Sequence, residues 1–508
     1  KLEYLNNWWT KISLIGKINS YSLDTMIFSD MQSTKEKLSE LQRNLVRSLL
    51  IEEVKKSILD STSKAQVAID ILIRNLLERT ADVGFLATDS DIRNFLKMEE
   101  ASDANRELLS KRLEEYVKKY SVYHDIIITD IHGNVQIKLD MKNPVVSSSD
   151  PFIKETLSST NEYIENYRYT DLKPNQEKSL FYSCKITENS NKGSRVLGVL
   201  CLFFKLKDEM ESIFKHLHVS DSKNILMLTS SDGKIISSNQ RSLPSSFSFK
   251  PNLHPELVTI GGTSYITITV KTKGYQGFYG LGWYARSMLP LHDAFSSYDL
   301  MPESSQENAS ELLPSSSLFS DALKQIHHNS QDVNEDLKLI ILNGIITAAR
   351  AQAAEFVPVL EEIKKISDIT ATVFSESIQR LQNTVLSSWL TGVRTVAELA
   401  VDIMDRNLYE RANDCRWWAL TTSFRQLLNK EMLNKEEQNS LSSILAYINQ
   451  LYTVYFNLYL YDSKGKILAV SNPGQSWMVG TYVNDESGAR ETLHISDSQK
   501  YAVSAFVT

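Results

Sequence analysis

The sequence predicts an α+β protein in which one kind of module, first helical and then β-rich, occurs twice. Residues 68–82 read AIDILIRNLLERTAD and residues 400–414 read AVDIMDRNLYERAND, an offset of 406 − 74 = 332. Helical periodicity in these segments gives way to β-branched and aromatic runs that favour strands. A constant register over this distance predicts a duplicated domain rather than a short solenoid repeat. The offset of 332 also relates Ala87 to Ala419, Arg93 to Arg425, Tyr120 to Tyr452, Tyr123 to Tyr455, Asp130 to Asp462 and Gly133 to Gly465.

Composition excludes several classes of protein. With 55 basic and 62 acidic residues, the chain has a net charge of −7 and no basic stretch, so nucleic acid is not an expected partner. Its three cysteines are widely spaced, and the close histidine pairs lack supporting ligands, which predicts neither a disulfide framework, a metal site nor a cofactor. No P-loop, GxSxG or HExxH motif occurs, so we do not expect an enzyme.

Changes in composition along the chain, together with the extent of the repeat, predict its domain organisation. The segment 301–317 is rich in Ser, Glu and Pro and is typical of a linker. The second copy stops within the region that matches the first unit of the first copy, so we expect the native protein to continue beyond Thr508. The predicted parts are a helical region at 1–65, a first domain at 66–300 with units at about 116–205 and 220–290, the linker, a helical connector at 318–392 and an incomplete second domain at 393–508.

The first domain contains several strand signals. Residues 125–139 predict a hairpin with its turn at 130–134, and residues 224–237 predict a second hairpin around Asp232-Gly233. A short helix is expected at 207–216. Further strands are predicted at 180–186, 195–204, 264–271 and 277–285.

These segments together resemble the double Cache sensor domain of bacterial chemoreceptors and sensor kinases. The resemblance is carried by ITDIHGNV at 128–135, LTSSDGKIIS at 228–237 and GYQGFYGLGWYA at 274–285, after a long helix. It implies two PAS-like units in tandem, and it covers about 50–300 and 385–508. Residues 286–295 resemble the exit helix that carries the signal onward in this family.

The resemblance also implies functional properties. Cache domains bind small molecules in the first unit, often amino acids, organic acids or amines, and signal as homodimers to chemotaxis coupling proteins. The Arg-x-Trp-Tyr cluster of the amino-acid-binding members is absent at that spacing, which leaves the ligand open. No apolar run approaches the roughly 18 residues that a membrane helix needs, so a cytoplasmic location is expected unless an anchor precedes Lys1.

Aromatic and charged side chains concentrate between the first hairpin and the third strand of the first unit. Tyrosines supply apolar walls with a polar tip, and Arg168 can hold a carboxylate through two parallel N–H groups. A small anionic or zwitterionic ligand suits such a pocket, although an aromatic core with a surface arginine explains the same residues equally well. The candidate ligand-binding residues are Tyr120, Tyr123, Tyr167, Arg168, Tyr169, Asp171 and Tyr182.

The repeated helix segment carries charges at helical spacing. Arg74 and Glu78 are four residues apart, and Arg79 and Asp82 are three. Exposed pairs of this kind contribute only about 0.3–0.5 kcal/mol each, and a simple salt-bridged helix is the favoured interpretation. The alternative is a signalling helix whose polar residues follow the movement of the sheet. The residues considered for that role are Arg74, Glu78, Arg79, Asp82, Arg406, Glu410, Arg411 and Asp414.

Two functions from different classes follow. The first is a bacterial signal-transduction sensor, most simply in chemotaxis, that relays ligand binding through long helices to an output module. The second is a structural or scaffold protein that keeps the Cache fold without a ligand and uses its helices for protein–protein contacts. The Ala-rich segment 343–356 fits a dimer interface, a docking helix or a helical hairpin packed within one protomer.

Overall fold

The computed structural model combines helices with antiparallel strands, which confirms the predicted α+β class. The linker at 301–317 and Tyr120 lie outside the residues that it describes. The described residues are 7, 11, 25–98, 102–119, 122–190, 193–217, 223–240, 248–295, 321–350, 357–430, 432–452, 454–483, 488–497 and 500–504.

Two very long helices dominate the chain, α1 with 63 residues and α7 with 62. The absence of Pro and Gly between residues 33 and 77 permits the length of α1. Pro358 lies in the first turn of α7, where its missing N–H leaves no helical bond unmade. The helices are α1 Thr25–Ala87, α2 Ser90–Leu96, α3 Asp103–Lys119, α4 Pro151–Ser158, α5 Leu206–Leu217, α6 Asp321–Arg350, α7 Val357–Trp418, α8 Thr422–Leu428, α9 Lys435–Tyr452 and α10 Ala489–Thr492.

The strands form two five-stranded sheets of the same topology. The first sheet has the order β2-β1-β5-β4-β3, and the second has the corresponding order β7-β6-β10-β9-β8. A separate hairpin pairs β11 with β12. The strands are β1 Tyr123–Asp130, β2 Val135–Lys138, β3 Ile164–Arg168, β4 Ser179–Thr187, β5 Val196–Phe204, β6 Ile225–Thr229, β7 Ile235–Ser238, β8 Glu256–Ile260, β9 Thr263–Lys271, β10 Tyr284–Pro290, β11 Tyr459–Tyr461 and β12 Ile467–Val470.

The chain divides into two compact units, each assembled from separate stretches of sequence. Unit 1 comprises Lys1–Lys64, His254–Ile268 and Ser287–Glu398, and unit 2 comprises Ala65–Leu253, Thr269–Arg286 and Leu399–Thr508. The long helices α1 and α7 each contribute to both.

Unit 1 is built on an apolar core shared by α1, α6 and α7. Gly344 permits close approach, because a Cβ there would lie 2.5 Å from Leu360 Cδ2 on the next helix. The helices α6 and α7 thus pack against each other within one chain, and residues 351–356 of the Ala-rich segment lie outside the described residues. The buried core residues are Leu38, Leu41, Leu45, Ile326, Val333, Leu337, Ile340, Ile341, Leu360, Ile363, Ile366, Val373, Phe374, Ile378, Leu381 and Val385.

Unit 2 contains the first sheet, whose two faces have different neighbours. The core face carries Ile127, Phe181 and Phe203, which pack with Phe152 and Ile153 of α4. Because side chains alternate along a strand, the residues between them point to the opposite side, which we call the helix face. Every position of β4 except Lys185 and Thr187 is buried, so both faces of this strand are covered.

The elements of unit 2 recur at the offset of 332. Helix α2 ends at Leu96 and α8 at Leu428, and strands β2 and β12 begin at Val135 and Ile467. The hairpin turns match as well. Asp130 accepts hydrogen bonds from the N–H groups at 132 and 134, and Asp462 accepts them from those at 464 and 466. The Asp-x-x-Gly motif is thus a turn that its own aspartate closes.

Two predictions near residue 280 were wrong. The predicted strand at 277–285 begins only at Tyr284, because Gly277, Gly280 and Gly282 adopt positive φ angles of 82°, 60° and 72°, which break a strand. The predicted exit helix at 286–295 is strand β10 as far as Pro290, followed by a short 3-10 turn at Asp293–Phe295. The sequence also gave no signal for strands β3 and β8.

Candidate functional site

The candidate ligand residues lie on both faces of the first sheet. Strand β3 pairs with β4 so that Glu165 is opposite Tyr182 and Asn166 is opposite Phe181. Residues directly opposite each other share a face, which places Tyr167 and Tyr182 on the helix face and Arg168 on the core face. These residues are close in sequence, but they point to opposite faces of the sheet and do not line a single pocket.

Arg168 lies among acidic side chains at the edge of the core face. Its Nη2 donates to Asp150 Oδ1 at 2.8 Å, and its guanidinium carbon is 5.8 Å from the centre of the Phe152 ring. Asp171 accepts hydrogen bonds from the Ser148 hydroxyl and from the Ser149 N–H at 2.9 Å. Arg168 and Asp171 thus border the same loop, 148–150, whereas Tyr169 is exposed.

A buried ion-pair cluster beside this loop was missed by the sequence analysis. Lys173 Nζ lies 2.7 Å from Asp125 Oδ2 and 3.1 Å from Asp140 Oδ2, and it is 5.9 Å from the Phe203 ring centre. The hydrogen bond from Lys173 lowers the pKa of Asp140. The sequence did contain a signal, because Asp125 directly precedes the apolar run at 126–128 within β1. Such a carboxylate needs a buried partner.

Two of the helix-face tyrosines, Tyr182 and Tyr123, donate hydrogen bonds to acidic side chains. The Tyr182 hydroxyl donates to Glu165 Oε1 at 2.9 Å, and burial raises the pKa of Glu165 to about 7. The Tyr167 ring meets Trp283 edge-on at 5.1 Å between centroids. The hydroxyl of Tyr123, the first residue of β1, donates to Asp82 on α1. This bond ties the sheet directly to the long helix.

The charged residues of the repeated helix segment meet across the two copies. Arg79 of α1 lies 3.3 Å from Glu410 of α7, and Arg411 of α7 lies 3.0 Å from Glu78 of α1. The offset of 332 converts one ion pair into the other, because Arg79 corresponds to Arg411 (79 + 332 = 411) and Glu410 corresponds to Glu78 (410 − 332 = 78). The two helix segments therefore pair reciprocally, as the halves of a two-fold dimer would, within one chain.

Each arginine also holds the aspartate of its own copy. Arg79 is 3.3 Å from Asp82, and Arg411 is 3.1 Å from Asp414. Tyr455 donates to Asp414 at 2.6 Å, as Tyr123 does to Asp82.

Asp82 has a further donor, because the hydroxyl of Tyr452 lies 3.0 Å from its Oδ1. Burial raises the pKa of Asp82 to about 6, although the charge of Arg79 acts in the opposite direction. A carboxylate of one copy thus accepts hydrogen bonds from tyrosines of both copies.

The predicted pair Arg79–Asp82 forms, but these charges are buried and are not the exposed helix pairs that were expected. Side-chain exposure is 1% for Arg79, 0% for Asp82 and Asp414 and 4% for Glu410. Arg74 bonds to Asn407 of the other copy, and its guanidinium carbon lies 4.7 Å from the Tyr275 ring centre. The partners come from segments more than 300 residues away, which helical spacing cannot reveal.

An aromatic pair lies at the end of the reciprocal contacts. Phe85 and Trp417 correspond at the offset of 332, and their rings meet edge-on with centroids 5.6 Å apart. Trp417 also packs on Tyr116, with centroids 5.5 Å apart. Corresponding residues that touch each other are expected next to a two-fold axis.

The described residues contain neither a cluster of metal ligands nor a membrane-spanning helix. Among the described residues, no three His, Cys, Asp or Glu side chains are grouped as a metal ion would require. No helix in the same residues has the length and apolar character of a membrane span.

Comparisons with known proteins return solved structures alone. No family model matches the chain, and no curated protein does. The ligand-binding domain of the Pseudomonas fluorescens chemoreceptor CtaA, in complex with L-isoleucine, is 19% identical with a TM-score of 0.34, over 50% of this chain and 98% of that domain.

Two further structures are similar over comparable lengths. A domain of a sensory box/GGDEF family protein from Vibrio parahaemolyticus is 15% identical with a TM-score of 0.33, over 50% of this chain and all of that one. The ligand-binding domain of the Pseudomonas aeruginosa chemoreceptor PctC, in complex with GABA, is 16% identical with a TM-score of 0.32, over 47% and 99%. At these identities and TM-scores, similarity alone assigns no function to this chain.

Proposed function

We propose that this chain is the sensing region of a bacterial signal-transduction protein that binds a small molecule and relays the event through paired helices. The resemblance of its hairpin motifs to Cache domains of chemoreceptors favours chemotaxis as the pathway. Two successive sheets of one topology, following a long helix, support a Cache module. The second copy repeats the elements of the first through β12.

The hydrogen bond from Tyr123 to Asp82 carries this proposal. It joins the first residue of a central strand to the helix segment that pairs with the other copy. Asp82 contacts Arg79, which in turn contacts Glu410. A shift of β1 would therefore change a buried charge network that spans both copies, and such networks respond strongly to small displacements.

The ligand site fits the core face of the first sheet, beside loop 148–150. Within the described residues, the Arg168 Nε–H is buried and has no hydrogen-bond acceptor. A ligand carboxylate would supply one, and Asp150 and Asp171 would favour an ammonium group nearby. Amino acids and related zwitterions or acids are the expected class. The tyrosines of the helix face, Tyr123, Tyr167 and Tyr182, then belong to the relay.

A thermal-shift screen of the full chain against amino acids, organic acids and amines tests the binding step. A ligand at 100 times its Kd should stabilise the chain by about 2.7 kcal/mol. Arg168→Ala should abolish the shift, and Arg168→Lys should retain part of it because the charge remains without the planar fork. Arg394→Ala removes an arginine that is 78% exposed and should change nothing. Silence from a folded chain across the library contradicts the proposal.

Hydrogen exchange tests the relay. With the ligand identified, we expect protection of residues 79–85 to change on binding in the wild type. Tyr123→Phe should keep the affinity and lose that change, because the strand no longer bonds to Asp82. Tyr455→Phe removes the corresponding bond of the second copy and serves as the control. An unaltered exchange response in Tyr123→Phe would rule out this route.

A scaffold function is the second candidate, and one observation favours it. The core face is filled by Phe152, Phe181 and Phe203, whose rings lie 5.0 Å apart in both adjacent pairs. A well-packed aromatic core leaves less room for a ligand. A screen without hits would put this candidate first.

A further inference from the structure

A cavity of about 410 Å³ lies between α5 of the first copy and α7 of the second, inside unit 2. From α5 and the residue before it come Lys205, Asp208 and Glu209, and from α7 come Arg406, Tyr409 and Glu410. The site is separate from Arg168 and its loop. Its volume is within the usual range for small-molecule sites.

The cavity lies where the reciprocal pairing of the helices is interrupted. Arg74 of the first copy bonds to Asn407 of the second. The offset of 332 relates Arg74 to Arg406 and Asn407 to Asn75, so exact symmetry would also join Arg406 to Asn75. Instead Glu209 lies between these two residues and accepts a hydrogen bond from each, with Arg406 Nη2 at 3.3 Å. Glu209 of the first copy therefore occupies the position at which the symmetric contact between Arg406 and Asn75 would form.

Charges in the lining favour a cation. Arg406 is shared between Glu209 and Glu410 at 3.3 Å each, and Glu410 also contacts Arg79. In the part of the chain that the structure describes, Asp208 forms no ion pair. Counting Asp208, Glu209 and Glu410 against Lys205 and Arg406, the lining has a net charge of 2 − 3 = −1.

The shape and the aromatic wall favour an organic cation over a metal ion. Tyr409 is 49% exposed, and its ring centre already lies 6.0 Å from the guanidinium carbon of Arg406. An ammonium group above this ring would gain a cation–π interaction, as well as the attraction of Asp208 and Glu209. A single metal ion would occupy only a small part of this volume.

We propose that this cavity binds a small organic ammonium compound that bridges α5 of the first copy and α7 of the second. The bound cation would replace the helix contact that Glu209 interrupts, and would hold the two copies together more firmly. The proposal does not depend on the ligand of the first sheet. An amine sensed here would act on the paired helices directly.

Calorimetric titration and thermal shift of the full chain with 1,4-diaminobutane test the proposal. We expect saturable binding with a rise in Tm, and no effect from 1,4-butanediol, which has the same chain length without charge. Asp208→Asn should weaken binding about tenfold or more, since a hydrogen bond to a charged group is lost. Tyr409→Leu should weaken it severalfold through the lost ring.

The matched control is Glu211→Gln, which removes the same charge from the same helix at a position that does not line the cavity. It should leave the affinity unchanged, as should Arg168→Ala. The proposal is overturned if wild-type protein shows no binding, if magnesium chloride gives the same shift, or if Glu211→Gln weakens binding as much as Asp208→Asn. Loss of the sheet ligand in Arg168→Ala with diamine binding intact would separate the two sites.

Discussion

The repeated segments of α1 and α7, residues 68–82 and 400–414, form the two halves of a helix pair. They carry the same charges at corresponding positions, but in different surroundings. Arg79 is 1% exposed, whereas its counterpart Arg411 is 19% exposed. In each half a tyrosine of the same copy donates to the aspartate, Tyr123 to Asp82 and Tyr455 to Asp414. The shared charges specify which helices pair, and the unequal burial makes the first half the more constrained of the two.

Substituting the two arginines should separate the halves most strongly. Arg79→Met leaves Glu410 and Asp82 buried with less compensation, which should cost about 3–5 kcal/mol of unfolding free energy. Arg411→Met should cost about 1–3 kcal/mol, because water reaches that site. Urea denaturation of both variants measures the difference. Equal losses would show that burial does not distinguish the halves.

Removing the carboxylate that interrupts the symmetry should have the next largest effect. Glu209→Gln weakens the bridge between Asn75 and Arg406, and we expect a loss of about 1–2 kcal/mol. Glu211→Gln on the same helix should stay within about 0.5 kcal/mol of the wild type. If Glu209→Gln stabilises the chain, the carboxylate is a source of strain kept for another purpose.

The pH dependence of stability should report Asp82. Because burial raises its pKa to about 6, the folded chain takes up a proton as pH falls through 6, and the unfolded chain does so only near pH 4. Stability therefore rises as pH falls from 7 to 5, by about 1 kcal/mol for this group. Asp82→Asn should lack that gain.

Urea midpoints at pH 7, 6 and 5 measure the gain. Asp414→Asn serves as the control for the corresponding position, and it should retain the wild-type response because Asp82 is still present. A variant Asp82→Asn with an unchanged pH response would show that another group is responsible. Glu165, whose pKa burial raises to about 7, is the first candidate.

The elements that were predicted correctly from the sequence are those determined by local residue patterns. Helix α5 and the hairpin turns at Asp130 and Asp232 follow from helical periodicity and turn chemistry, and the structure places them within a few residues of the prediction. Strands β3 and β8 are short and partly exposed, so neither a burial pattern nor a long apolar run marked them. The segment that contains Gly277, Gly280 and Gly282 was predicted to be a strand, but the positive φ angles of these glycines place them in turns.

The candidate site was predicted in part for a related reason. Repetition identified Arg79, Asp82, Glu410 and Arg411 as residues that the fold uses, and that was informative. Their partners could not be read from one helix, because reciprocal pairing depends on contacts between residues about 330 positions apart. Only the offset itself contained the signal, since exchanging copies turns one ion pair into the other.

The smallest expected effect comes from a position where the copies differ outright. Gly84 of α1 corresponds to Arg416 of α7, whose guanidinium carbon lies 5.4 Å from the ring centre of Tyr501. A Cβ on Gly84 would lie 3.3 Å from Leu451 Cδ2, the end of a flexible side chain. Gly84→Ala should therefore gain helix propensity of about 0.5–1 kcal/mol and lose much of it to crowding.

A net change within about 0.5 kcal/mol is expected for Gly84→Ala in urea denaturation. Gly84→Val adds bulk without the same gain in helix propensity and should cost about 1–3 kcal/mol. A loss of that size already in Gly84→Ala would mean that α9 cannot yield at Leu451 and that the first half depends on a close helix contact. A clear gain would mean the reverse, that the glycine confers no packing advantage and the asymmetry of the halves rests on their charges alone.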